Sequence, residues 1–306
     1  MNNSLQPKQI KFTSFMSQEG TKKLVKNALG ELNAQRFMSS IISAVTTNPA
    51  LEECTHKSIL SGALLGESLK LSPSPQLGQY YLVPFKKKDK QGNVVEINAQ
   101  FILGAKGYKQ LAMRTGQYAD IDVISIKEGE YRGRDRFTGK QTFQFVEDDD
   151  VRDKLPTVGY MAYFELLNGF RKQIYWTKQK MIDHADRYSS AFDASKYDDF
   201  INGRIPQKDL WKYSSYWYAD FEGMAHKTLI RQLISQWGIM SIEMVTAYER
   251  DNAVINENGD AEYVENESIV KPSNSIQEQP QQEQLEQNVT AEEQEEFDFF
   301  NEDAEE

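Results

Sequence analysis

Cysteine is almost missing: Cys54 is the one thiol in 306 residues, so there is no intramolecular disulfide framework and no thiolate metal cluster. Long apolar runs are missing too. No charge-free stretch exceeds 15 residues, and the two of that length, Phe37–Leu51 and Leu71–Phe85, are interrupted by Ser, Thr and Pro. A membrane-spanning helix needs about 20 mostly apolar residues, which excludes one here. The opening Met1 to Lys8 carries no apolar stretch of signal-peptide type, so a cytoplasmic protein is expected. Histidine is scarce: His56, His184 and His226 stand far apart, with no second His or Cys at ligand spacing, and each reads as a surface or packing residue.

What is present is an uneven distribution of charge. The net charge of -11 divides into a body and a tail: residues 1–250 hold 34 Lys+Arg against 28 Asp+Glu, and residues 251–306 hold one basic residue, Lys271, against 18 acidic ones. A basic body with an acidic tail points to a nucleic-acid or other anionic partner for the body and a docking or regulatory role for the tail. From about Asp251 onward Gln, Glu, Asn and Pro dominate, too polar to offset ordering entropy, and a largely disordered segment is expected. Near its end, within residues 295–303, Phe297, Phe299 and Phe300 sit among acidic side chains, the pattern of a short partner-docking motif. The expected division is therefore 1–250 and 251–306.

Periodicity gives the layout of the body. Leu24, Ala28 and Leu32, then Phe37, Ile41, Ile42 and Val45, recur at helical spacing. Thr55 is placed to cap a helix through Ile59, Ala63, Leu64 and Leu71. The period then falls to two: Gln79–Phe85 and the alternation around Ile97–Leu103 predict a β-hairpin whose tip carries Lys86, Lys87, Lys88 and Lys90. A helix over Gly104–Gly116 follows, with Tyr108, Leu111 and Ala112 inward and Lys106, Gln110 and Arg114 along another face. Strands are expected at Ala119–Ile126, Tyr131–Phe137 and Thr142–Val146, and Asn168-Gly169 marks a hairpin between Val158–Leu167 and Phe170–Trp176. Thr177 caps another helix, and a long helix from about Gln207 buries Leu210, Trp217, Phe221, Met224 and Leu229. Helices, hairpin-linked strands, then helices make an α+β chain with a helical N-terminal lobe.

Enzymatic readings are weak. Gly133…Gly139-Lys140-Gln141 misses the P-loop spacing by one residue and puts Gln where the magnesium-binding hydroxyl belongs. Asp120 and Asp122 alternate on one strand and, with Lys127-Glu128 nearby, leave a metal-dependent nuclease as an alternative. Gly104-Ala105-Lys106-Gly107 matches the G-x-x-G loop of KH-type RNA-binding modules, but a ten-residue strand precedes it. No catalytic set stands out. A basic and aromatic surface does: Lys86 and Lys88, then Lys106, Lys109 and Arg114, then Arg132, Arg134 and Arg136 alternating in an extended run, then Arg171, Lys178, Lys227 and Arg231, with Tyr81 and Tyr108 as apolar planes. On a strand, alternate residues recur every ~6.6 Å, close to one nucleotide step, so cations beside aromatic platforms suit sequence-tolerant single-strand binding.

Three stretches then resemble one family. Leu71-Ser72-Pro73-Ser74-Pro75-Gln76-Leu77-Gly78-Gln79-Tyr80-Tyr81-Leu82-Val83-Pro84-Phe85, the run Leu103-Gly104-Ala105-Lys106-Gly107-Tyr108-Lys109-Gln110-Leu111-Ala112-Met113-Arg114-Thr115-Gly116, and Met224-Ala225-His226-Lys227-Thr228-Leu229-Ile230-Arg231 are similar, in that order, to motifs of the RecT family of phage and prophage single-strand annealing recombinases. The resemblance covers about residues 20–250. It implies an ATP-independent annealing protein, not an enzyme, that works as a ring or helical filament. It implies a fold similar to the eukaryotic annealing ring proteins, with hairpin, sheet and helices lining a basic DNA groove. The implied partners are single-stranded DNA, the annealed duplex intermediate, further copies of the chain, and a phage exonuclease or host single-strand-binding protein. No cofactor is required, and Mg2+ is left as a modulator of unknown effect.

Overall fold

The computed structural model describes residues 10–89, 91–189 and 191–263, so the phenylalanines at 297, 299 and 300 lie outside the described residues. Three helices open the chain: α1 (Phe12–Ser17), α2 (Glu19–Leu29) and α3 (Glu31–Thr47). Phe12, Met16, Val25, Ala34, Phe37, Ile41 and Val45 turn inward. The expected inward stripe of Leu24, Ala28 and Leu32 is corrected, because all three are exposed. Gly30, at φ +76°, breaks the helix between Ala28 and Leu32, and α2 faces inward through Thr21 and Val25 instead. After a 3-10 turn (Pro49–Glu53), α4 (His56–Ser68) lies against the first sheet. Thr55 occupies its N-cap position, but its hydroxyl donates to Asn98 Oδ1 (2.6 Å), and the Ser58 hydroxyl accepts the Ala99 amide (2.8 Å). These two hydroxyls tie α4 to the strand beside it.

That strand is β2 (Val94–Leu103), paired antiparallel with β1 (Tyr80–Lys88) from Tyr80↔Leu103 to Lys88↔Val94, the hairpin read from the sequence. Next come α5 (Ala105–Arg114), β3 (Tyr118–Lys127), a small hairpin of β4 (Tyr131–Arg134) and β5 (Gln141–Phe143), and α6 (Asp149–Arg152). Then β6 (Thr157–Leu166) and β7 (Arg171–Thr177) flank the Asn168-Gly169 turn. The second sheet runs β3-β6-β7, wholly antiparallel. After it come α7 (Lys178–Tyr188), whose first turn the Thr177 hydroxyl caps at Lys180 N, and α8 (Ala194–Ile201). The single long helix expected from Gln207 is corrected to a 3-10 turn (Gln207–Tyr213), α9 (Tyr216–Ala219) and α10 (Phe221–Trp237). The Asp220 side chain accepts the Gly223 amide (2.9 Å), which starts α10 there and leaves Leu210 exposed.

Helix α10 lies on one face of the β3-β6-β7 sheet, touching all three strands and α5. Tyr160, Ala162, Phe164, Leu229, Ile230 and Leu233 are buried in this core. The histidines are packing residues in different parts of the molecule. His56 packs on Phe12 and Phe15, His226 sits 3.0 Å from Ser125 Oγ, and His184 lies between Trp176 and Tyr188. Burial, followed by the charges of Arg231, Lys180 and Arg187, lowers His184 to about 4. In an unfolded chain it takes up its proton near 6.5, so its contribution to stability is whole above that pH and is lost as pH falls from 6.5 through 4. The expected result is a melting temperature that declines over this window, with a shallower decline in His184→Phe; superimposable pH profiles would show that the group does not matter. Cys54 is buried and pushed up to about 12 by burial and the Glu53 charge, the behaviour of a packing residue.

The boundary read at Asp251 also moves. After α11 (Ile242–Glu249), β8 (Ala253–Ile255) pairs with β2 through Gln100↔Val254 and Phe101↔Ala253, and β9 (Ala261–Tyr263) extends the sheet to the order β1-β2-β8-β9. Ala253, Val254 and Ile255 are buried. Composition hides this because three apolar residues are enough for a short strand when a finished hairpin already offers its edge.

Candidate nucleic-acid interface

The β4–β5 hairpin stands on the face of the β3-β6-β7 sheet opposite α10. Tyr131 stacks on Tyr175 of β7 (ring centroids 4.5 Å apart, planes at 14°), and Phe143 closes against both at 5.7 Å. Gln173 donates to the Gln141 carbonyl (2.7 Å) and Tyr131 to the Gln141 side chain (2.9 Å). Beneath the hairpin Glu130 is fully buried, gripped by Arg152 (Nε–Oε1 2.6 Å, Nη2–Oε2 3.1 Å) and by the amides of Lys127 and Val146. Burial pushes the Glu130 carboxyl up, but these hydrogen bonds outweigh it and hold it below the ordinary glutamate range. Sequence reading missed this anchor, because nothing in the spacing of Glu130 and Arg152 sets them apart from surface charges.

Arg132 and Arg134 are exposed on this rigid mount and form no ion pair among the described residues. Arg136 is exposed too but is not on the strand, which corrects the expected row of three. Strand β4 ends at Arg134 because the Asp135 carboxylate accepts the amides of Phe137 (2.9 Å) and Thr138 (2.7 Å) and bends the chain. Gly133 adds an irregularity in the register after Tyr131. The basic group is therefore a hairpin end, Arg132, Arg134, Arg136 and Lys140, rather than an extended ladder.

A second group forms where β1 meets α5. Gly104 donates to Gln79 O (2.8 Å), and a Cβ on Gly104 would lie 2.2 Å from Gly78 O, one on Gly107 2.1 Å from Gln79 O. The G-x-x-G run is thus a close-packing device that seats the start of α5 on residues 78–79, and it leaves Lys106 exposed. Tyr81 is half-buried beside Gly78 and Gly104, 6.2 Å from the Tyr216 ring; burial, then Tyr216 and Asp220, raises its hydroxyl. Lys106 and Tyr81 are the cation and aromatic plane that the fold does bring together here.

Other residues read as contacts have structural duties. Tyr108 and Lys227 are buried: Tyr108 donates to Asp251 (3.0 Å), as does Lys227 (2.9 Å), and Arg231 lies 3.7 Å from the same carboxylate with its guanidinium over Tyr248. These three are corrected from surface contacts to parts of a lock around Asp251. Arg114 is spoken for as well, donating to the carbonyls of Leu69 and Lys70 at the end of α4 (2.8 Å each). Lys109 pairs with Asp122 (2.7 Å), and Arg171, on an exposed side chain, with Glu165 (2.9 Å). Lys178 is half-buried at the start of α7, and Lys86 is exposed on β1. The Lys88 side chain lies outside the described residues.

On the sheet face carrying the hairpin, cross-strand register sets Asp120 opposite Glu165, and Asp122 opposite Tyr163. Asp120 accepts the Tyr163 hydroxyl (2.8 Å), which is raised to about 12 by that hydrogen bond, burial and the nearby carboxylates. The two aspartates thus share a face, as expected, but each is engaged. Among the described residues no three His, Cys, Asp or Glu side chains gather as a metal site. A KH setting is absent too, since α5 follows a strand.

Comparison with known proteins agrees with the motifs. A family model described as the RecT family matches residues 35–269. The chain is similar to the uncharacterized protein YqaK of Bacillus subtilis (strain 168), at 32% identity over 276 residues, 90% of this chain and 82% of that one. It is also similar to protein RecT of Escherichia coli (strain K12), at 27% identity over 245 residues, 78% of this chain and 79% of that one.

Proposed function

Because the chain belongs to the RecT family, whose members serve phage-type recombination by single-strand annealing, we propose that it binds single-stranded DNA and pairs it with its complement without ATP. The observation that carries the contact surface is the β4–β5 hairpin, with guanidiniums that have no carboxylate partner among the described residues on a base fixed by Tyr131, Tyr175 and the Glu130–Arg152 pair. Arg132, Arg134 and Arg136 neutralise phosphates, and Lys106 does so beside Tyr81. Both strands are anionic, so neutralising one lowers the repulsion the other must overcome, and base edges stay free to pair. Each correct step then contributes about 1.4 kcal/mol of stacking, which leaves discrimination to the DNA.

Further copies of the chain extend the bound track, and the exposed apolar residues of α2 and α3, Leu24 and Leu32, supply an assembly surface. A phage exonuclease or host single-strand-binding protein is the partner class for the acidic tail and its Phe297, Phe299 and Phe300.

The test is annealing of complementary labelled oligonucleotides by pure protein without nucleotide, alongside binding measured from low to high salt. Annealing without strand loss is expected, and log affinity should fall against log salt by about 0.7 for each phosphate neutralised. A flat salt response would remove the phosphate contacts, and degradation of the DNA would replace annealing by nuclease action.

A further inference from the structure

The end of the β4–β5 hairpin displays an aromatic ring to solvent. Phe137 is 99% exposed, the most exposed large apolar side chain among the described residues. An isolated exposed apolar residue is ordinary on a protein surface. This one differs in how it is held and what surrounds it. The turn beneath it is built: Asp135 N donates to Lys140 O (2.9 Å), Gly139 N to Asp135 O (2.9 Å), and the Asp135 carboxylate receives the amides of Phe137 and Thr138. Gly139 takes φ +71°, and the Arg134 guanidinium lies across it, so that a Cβ there would be 3.3 Å from Nη2. The hairpin base is clamped by the Tyr131–Tyr175 stack.

The surroundings select the occupant. Arg134, Arg136 and Lys140 stand within three residues of Phe137, and the one acid among them, Asp135, is turned onto the amides of its own turn. An exposed ring with cationic residues at neighbouring positions of the same hairpin end fits a polymer that alternates anionic groups with flat apolar faces. An acidic protein segment without regularly spaced aromatic side chains would satisfy the charges but leaves the ring without a planar partner at each step. We propose that Phe137 is a nucleobase-stacking site, the fixed fingertip on which an unpaired base of single-stranded DNA rests while Arg134 and Arg136 hold the phosphates beside it. Such stacking is sequence-tolerant, since every base has a face to offer. The site rests on the single-strand reading above and adds to it a contact that is not electrostatic.

This difference sets the experiment. Full-length protein, Phe137→Ala and Phe137→Trp are compared for binding to a fluorescent oligonucleotide and to an abasic strand of equal length, each over a range of salt. Phe137→Ala should weaken binding to the base-bearing strand about 10-fold with the salt slope unchanged, and the abasic strand should bind both proteins alike. Phe137→Trp should restore or exceed the original affinity. Equal binding of wild type and Phe137→Ala to the base-bearing strand would overturn the stacking site while leaving annealing intact. So would a loss that is the same on the abasic strand. If the wild-type chain binds no single-stranded DNA, the broader function falls and the site with it.

Discussion

Asp251→Ala should lose about 3–5 kcal/mol of stability, the usual cost of leaving a buried charge without its partner. Asp251 is 4% exposed and Lys227 6% exposed. The carboxylate accepts Lys227 Nζ (2.9 Å), the Leu103 amide (2.9 Å) and the Tyr108 hydroxyl (3.0 Å), with Arg231 at 3.7 Å. One side chain thereby fastens α10, β2 and α5 at a point just before β8. Burial lowers the Lys227 pKa, and the attraction of Asp251 opposes that. Without Asp251 the ammonium must shed its proton or draw in water, and both are costly. Denaturant unfolding followed by circular dichroism measures the loss, and a change below about 1 kcal/mol would show that the lock is ornamental. The pair Asp251→Ala with Lys227→Met should recover part of the deficit, because it removes the stranded charge. Truncation follows the same logic. Ending the chain at residue 250 removes Asp251 and strands β8 and β9 and should prevent folding, whereas ending at residue 269, where the family match stops, keeps every described contact and should leave DNA binding equal or higher.

The second large effect belongs to the hairpin. Replacing Arg132, Arg134 and Arg136 together by alanine should lower affinity for single strands about 100-fold at low salt, at on the order of 1 kcal/mol per guanidinium–phosphate contact. The salt slope should shrink by about 2, from three phosphates at 0.7 each. Annealing should fall in step. Since all three side chains are exposed and form no ion pair among the described residues, stability should change by less than about 1 kcal/mol. That separates this variant from Asp251→Ala, which should lose binding only through loss of fold. Unchanged affinity together with an unchanged slope would move the DNA path away from the hairpin altogether.

Strand periodicity at Tyr80–Lys88 and Val94–Leu103, the Asn168-Gly169 turn and the Thr177 cap were legible because each rests on neighbours in sequence. The site was legible only in part, for one physical reason: a cation's role depends on whether a carboxylate or carbonyl reaches it from elsewhere in the chain. Arg132 and Arg114 look alike in sequence. One has no partner among the described residues, and the other caps a helix some 45 residues earlier, through Leu69 and Lys70. Lys227 and Arg231, four apart on a helix, suggested a basic face, yet α10 turns them inward onto Asp251. The RecT motifs are legible along the chain, but what their residues hold is visible only in the fold. Gly104, Gly107, Arg114, Lys227 and Arg231 hold the fold together, and Lys106 alone of the α5 cations stays exposed without a partner among the described residues.

The sequence alone determined the α+β layout, the family and the polarity of body and tail, because these follow from local periodicity, ordered motifs and charge, all of which are written along the chain. Tertiary structure decided which charges are spent inside the molecule, that Asp251 to Tyr263 belong to the fold, and that Phe137 crowns the arginine hairpin. Those depend on which distant segments meet, and a buried carboxylate and a solvated one are the same letter until the chain has closed around them.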